Sequence, residues 1–322
     1  MTRTQRQQLP CHVPAPIETI TQCRLIRTFD SNGLVSLDMF AETPESLADP
    51  RNNGMEDNAM LSAERLLLRA VKSKHFSVKR NYDIYYIQSD AKDSTPMLED
   101  GSLDRAGEPA QSLHDDREPA SMVLVGRVVS NSMGTMYSIY ANSVADSTHE
   151  TTADADSVPG EIAGGGVQML AGWREICSVS YEVNILGKRG PRKMTAVINA
   201  ISNNPTVSEM PEMPEKPSSR SELSLMERYR ANSDDRDLVV LWNKMPEWCD
   251  ESRAYVLDFA GRVRVPSVKN FQLMHPDEEE YTVLQFGRFG PDSFTLDMRY
   301  PMTHVMALGV AISSIDKKLA CN

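Results

Sequence analysis

The chain has 322 residues, 40% of them hydrophobic, enough for one large core or two ordinary ones. Its formal net charge of −11 argues against anionic partners, but residues 89–120 (nine Asp/Glu, three Lys/Arg) and 141–165 (five acids, no base) hold all of it, so a basic patch elsewhere stays open. Five cysteines (Cys11, Cys23, Cys177, Cys249 and Cys321), an odd number without CxxC spacing, and six scattered histidines suggest neither a disulfide framework nor a metal site; they fit reduced thiols in a cytosolic protein.

In chain order, MTRTQRQQLPCHVP lacks the apolar run of a signal peptide, and Thr2 stands where N-myristoylation requires glycine. Residues 1–19 are expected to be a short disordered segment, and 20–322 a single domain. Strand-like stretches follow at 23–27, 34–40, 65–71, 82–88, 122–129, 135–140, 178–185, 194–201, 237–242, 254–260, 281–288 and 294–300. In SVSYEVNI (178–185), Val179, Tyr181, Val183 and Ile185 share one face and polar residues the other, the period of a half-buried strand. FTLDMRY repeats the pattern, and GPD at 290–292 turns the preceding strand into it. Residues 43–60, 89–120, 141–168 and 203–220 are too polar or proline-broken to bury a core and read as insertion loops. SELSLMERYRA (221–231) reads as a short helix with Leu223, Met226 and Tyr229 inward.

About a dozen short strands argue for an antiparallel sandwich or barrel. Val305 to Ile312 contains no polar side chain, yet it is far shorter than the ~20 residues of a membrane span. A helix apolar on every side must be enclosed by protein. The predicted fold is therefore mainly β, a closed antiparallel barrel of about 12 strands filled by an apolar C-terminal helix. Gly309, Ala307 and Ala311 would let strands approach that helix. Burying Val305, Met306, Leu308, Val310 and Ile312 would stabilise the fold by ~1.5–3 kcal/mol each. Asp316, Lys317 and Lys318 end it, with the lysines suiting its dipole.

No GxSxG, HExxH or P-loop pattern is present, and the DEEE run at 277–280 reads as a solvated hairpin tip, so no enzymatic role and no cofactor are expected. FAGRVRVPSVKNFQL (259–273), YTVLQFGRFGPDSFTLDMRY (281–300) and VAISSIDKKLACN (310–322) resemble the C-terminal signatures of tubby-like proteins. CRLIR (23–27), SNSMGTMYSIY (130–140) and YEVNILGKRGPRKM (181–194) extend the resemblance from about residue 20 to the end. It implies the barrel around a central helix, and a shared activity of binding phosphoinositides, chiefly phosphatidylinositol 4,5-bisphosphate, at a basic surface pocket. It also implies a monomeric adaptor for membrane-protein cargo bound for a cilium or flagellum. Such a protein would be cytoplasmic and peripherally associated with the plasma or ciliary membrane. A DNA-binding or transcription-linked role in the nucleus, and a scaffold that binds no lipid, are the alternatives. The acidic charge counts against nucleic acid.

Mapped residue by residue, the resemblance assigns the headgroup to Arg127, in place of the family's Lys, and to Asn81 in KRNYDIYY. Val129 stands where the family has a second base. Trp173 stands where it has an Arg, with Arg174 one place along as a substitute if the local strand is irregular. Lys188, Arg189 and Arg192 in GKRGPRKM, with Lys79, Arg80 and Lys193, are candidates to rim the same pocket. Lys269 and Asn270 are expected to serve structure, Asn270 by bonding backbone.

Overall fold

The computed structural model describes residues 9–42, 65–73, 81–88, 121–142, 173–182, 192–200, 223–251 and 253–316. Twelve strands form the barrel: β1 (Thr21–Phe29), β2 (Val35–Ala41), β3 (Arg65–Lys72), β4 (Asn81–Ile87), β5 (Met122–Ser130), β6 (Met136–Asn142), β7 (Trp173–Tyr181), β8 (Met194–Asn199), β9 (Leu238–Asn243), β12 (Phe271–His275), β13 (Glu278–Arg288) and β14 (Ser293–Met298). Each pairs antiparallel with its neighbour, and the ring closes where β1 meets both β2 and β14. The short strands β10 (Glu247–Cys249) and β11 (Ala254–Val256) form a separate hairpin. Helix α1 (Leu225–Ala231) lies outside the barrel against β7 and β8, and α2 (His304–Ile315) runs through its centre.

The inner phase of the wall is apolar: Leu25, Leu37, Met39, Leu68, Ile84, Ile139, Val179, Leu273, Phe286 and Leu296 form one cluster with α2. Val305, Ala307, Leu308, Val310, Ala311 and Ile312 have no exposure at all, so the apolar helix is a core element as expected. Small residues set the closeness of fit. A Cβ on Gly309 would lie 2.7 Å from Ile139 Cδ1, and one on Gly126 would lie 2.7 Å from Val305 Cγ1. Thr303 caps α2 by accepting from Met306 N–H at 3.2 Å. At the other end Asp316 accepts from the Tyr82 and Tyr137 hydroxyls, and Ser313 bonds Tyr181.

These contacts define two barrel ends. Val305 lies toward the end where β4, β6 and β14 finish, and Asp316 at the end where they begin.

All six residues of β14 are buried, although only Phe294, Leu296 and Met298 belong to the core cluster. The segment 257–270 covers the outer phase. Arg262 bonds Asp297 at 2.6 Å and Glu42 at 2.7 Å, and Val263 packs over Gly287. Asn270 donates to Val265 C=O and accepts from Arg288 N–H, both at 3.0 Å, which is the structural duty expected of it.

Several expectations change. Residues 9–19 are ordered rather than a disordered lead: Cys11 and Ala15 join the core, and Pro14 bridges to Thr303 beside the start of α2. The strand expected at 178–185 begins earlier, at Trp173; its expected end, 183–185, lies outside the described residues. FQLMH forms β12, which alternation did not reveal. In α1 the buried pair is Leu225 and Met226, while Leu223 is exposed. Residues 141 and 142 belong to β6, and the rest of the four insertion loops lies outside the described residues.

Candidate functional site

Strand alternation builds one polar strip on the outer wall of β4–β7. Tyr82, Ile84 and Tyr86 point to the core, so Asn81, Asp83 and Tyr85 point outward. In β5 Val128 is inward, leaving Arg127 and Val129 on the outer phase. Register aligns them: Asn81 opposes Val129, Asp83 opposes Arg127, and Arg127 opposes Tyr140. Asn81 and Arg127 are therefore diagonal neighbours on one face, within reach of a common ligand.

Arg127 is held on two sides. Its Nε donates to Asp83 Oδ1 at 2.6 Å, and its guanidinium carbon sits 5.4 Å from the centre of the Trp173 ring. Neither Nη group makes a hydrogen bond with the described residues. The result is a guanidinium fixed in plane and position with its outer edge available to another acceptor. Asp83 largely neutralises it, so any anion must share or displace that carboxylate. Asn81 Oδ1 is buried without a hydrogen-bond partner among the described residues. Burial raises the Tyr85 pKa, with the Asp83 charge adding to it and Arg127 opposing. Further along the strip, burial drives the Glu175 pKa up, and its carboxylate accepts from Leu225 N–H at 2.8 Å, docking the start of α1.

The remaining predicted residues separate. Trp173 shares the outer face with Arg127. Arg174 does not: it pairs with Ala141 of the core, on the opposite phase of β7. A bulge gives β7 one extra residue, Ile176, but lies beyond Arg174, between the partners of Ile139 and Tyr140, and so does not bring it outward. Arg192 lies at the rim where α2 ends, close enough to Lys269 to lower that ammonium's pKa, and not beside Arg127. Lys79, Arg80, Lys188 and Arg189 lie outside the described residues. Sequence reasoning missed Asp83; its position two residues after Asn81 placed it on the same face, where a cross-strand partner for Arg127 was to be sought.

A Tub family profile matches residues 65–317. The chain belongs to the Tub family. It is 35% identical to mouse Tubby-related protein 2 over 274 residues, which is 83% of this chain and 45% of that protein. It is 41% identical to Tubby protein homolog 1 of Caenorhabditis elegans over 195 residues, 61% of this chain and 41% of the relative. Human Tubby-related protein 1 is 45% identical over 148 residues, 46% of this chain and 26% of the relative. The Tub chain thus spans less than half the length of these curated relatives. Its barrel and central helix accord with that membership, which supports tubby-like function in general.

Proposed function

We propose that this Tub-family barrel binds the headgroup of phosphatidylinositol 4,5-bisphosphate on the cytosolic leaflet through the outer face of β4 and β5, and so acts as a membrane-docking adaptor rather than an enzyme. The observation that carries the reading is Arg127: anchored at Nε by Asp83, supported by the Trp173 ring, on the same outer face as Asn81, and with an Nη edge that makes no hydrogen bond with the described residues. A phosphate oxygen pair fits that edge bidentately, and charge-assisted bonds of this kind are about twice as strong as neutral ones. Asn81 Oδ1 would gain an inositol hydroxyl as donor. Val129 removes one family contact, so the pocket relies on a single well-held guanidinium. As the resemblance implies, the docked protein would position membrane-protein cargo bound for a cilium or flagellum.

Vesicle flotation tests this. The protein should float with vesicles containing the bisphosphate lipid and stay behind with vesicles of equal charge made with phosphatidylserine. Arg127→Ala should abolish the difference at unchanged melting temperature. Equal recovery on both vesicle types would remove the proposal.

A further inference from the structure

A bisphosphate headgroup has two phosphomonoesters to hold, and Arg127 accounts for one. The outer face of β4 continues past it. Asn81, Asp83 and Tyr85 succeed one another on that face, about 7 Å apart along the strand. The middle residue holds Arg127. On one side of it Asn81 Oδ1 has no hydrogen-bond partner among the described residues, and on the other side neither has the Tyr85 hydroxyl. Tyr85 is half-buried, and burial raises its pKa, so at neutral pH it is a protonated donor and not a competing anion.

The neighbouring strand brings a second arginine to that hydroxyl. Leu68 and Ala70 of β3 belong to the core, so Arg69 lies on the outer phase, where it pairs directly with Tyr85. On its other side it pairs with Asp38 of β2, to which Nε and Nη2 donate at 2.7 and 2.8 Å. Nη1 makes no hydrogen bond with the described residues. The Arg69 side chain is 39% exposed and that of Asp38 only 10%, so the pair shows its cation to the solvent. Arg69 is thus held as Arg127 is, by a carboxylate from an adjacent strand, with part of the guanidinium left over. Two aspartates against two arginines make the strip formally neutral, so a ligand is selected by where the donors stand. Arg69 and Arg127 lie on strands two spacings, about 10 Å, apart. With hydrogen bonds of ~3 Å, one phosphate on Arg127 does not also reach Arg69, whereas a neighbouring phosphate on the same ring meets Tyr85 and Arg69.

We propose that Tyr85 and Arg69 form a second phosphate subsite beside Arg127, so that the outer strip of β3–β5 reads an inositol ring carrying two phosphomonoesters in preference to one. The inference rests on the phosphoinositide reading for its ligand, and deepens it by naming the residues that hold the second phosphate. Val129 leaves β5 without a second base, and Arg69 supplies one from the opposite side of β4.

Calorimetry with soluble inositol 4,5-bisphosphate and inositol 4-phosphate tests the subsite, and vesicles carrying the corresponding lipids test its source. Wild type should prefer the bisphosphate about tenfold or more, the worth of a hydrogen bond to a charged group. Tyr85→Phe and Arg69→Gln should each weaken bisphosphate binding several-fold and leave monophosphate binding unchanged, whereas Arg127→Ala should weaken both. Tyr85→Phe keeps the ring in place and decides the matter if Arg69→Gln lowers the melting temperature by freeing Asp38. Equal losses for the two ligands, or no loss in Tyr85→Phe while Arg127→Ala loses binding, overturn the second subsite and leave the phosphoinositide reading. The expected pattern with the soluble ligands, but no preference among vesicles, supports the subsite and overturns the lipid as its source. Failure of wild type to bind either ligand in either form overturns both.

Discussion

Lys269 Nζ donates to the carbonyl oxygen of Ile315 at 2.5 Å, so the last turn of the central helix is held by a side chain from the covering segment 257–270. Of the residues expected to end the helix, Asp316 is its C-cap, while Lys317 and Lys318 lie outside the described residues; Lys269 meets the terminus from a different element. Burial lowers the Lys269 pKa, and the charges of Arg27 and Arg192 lower it further. Lys269→Met removes a charged donor and leaves a helix-end carbonyl unsatisfied, so unfolding in urea should show a loss of about 1.5–3 kcal/mol. A change below ~0.5 kcal/mol would mean that the bond is incidental.

Gly309 sits where α2 touches β6. A methyl group there meets three atoms of Ile139 at 2.7 to 2.9 Å. Gly309→Ala raises helix propensity, which alone would stabilise by about 0.8–1 kcal/mol. Overpacking opposes this at about 1–3 kcal/mol, and the enclosed site gives Ile139 little room to yield. Net destabilisation is expected in denaturant melts. The double variant Gly309→Ala, Ile139→Val should recover part of it, because the second change removes the clashing Cδ1.

His304, the first residue of α2, is well buried, and desolvation lowers its pKa from 6.5 to about 4. The unfolded chain takes up this proton near pH 6.5, whereas the native state resists until about pH 4. Stability is thus fully present above pH 6.5 and falls as pH drops between these values, by about 3 kcal/mol for this group. A cation at a helix start is disfavoured by the dipole in the same direction. Urea midpoints measured from pH 7 to 4 should decline, and His304→Gln should flatten that decline.

Trp173 supports Arg127 without contacting the proposed ligand through a charge. Stacking of this kind contributes ~0.5–2 kcal/mol. Trp173→Ala should weaken bisphosphate-lipid binding by several-fold, less than Arg127→Ala does. Trp173→Phe should restore most of the affinity, and far-UV circular dichroism should be unchanged throughout. Equal losses for Ala and Phe at position 173 would show that the ring face is not what holds the guanidinium.

Period-two patterning was legible where one face of a strand meets the core and the other is more open, as in β4. It failed for β12: Phe271, Gln272 and Leu273 are all buried, because the covering segment shields the outer phase. It also failed for the front of β7, where the extra residue Ile176 breaks the period and Glu175 is a buried carboxylate beneath α1. Arg127 and Asn81 were found through the family motif, not through any pattern of their own. Arg174 was misplaced because phase along a strand is settled by partners, here Ala141, that a single sequence does not pair.

Ring closure has a consequence for synthesis. Arg27 in β1 bonds Asp292, just ahead of β14, across 265 positions, and α2 follows that strand. A nascent chain emerging from the ribosome therefore carries β1 with one bare edge, and eleven curved strands with no filling, until its final elements appear. Closure of the barrel as a unit therefore waits until β14 and α2 have emerged. Until then the unpaired edge strands of the growing polypeptide are open to pairing with those of other chains.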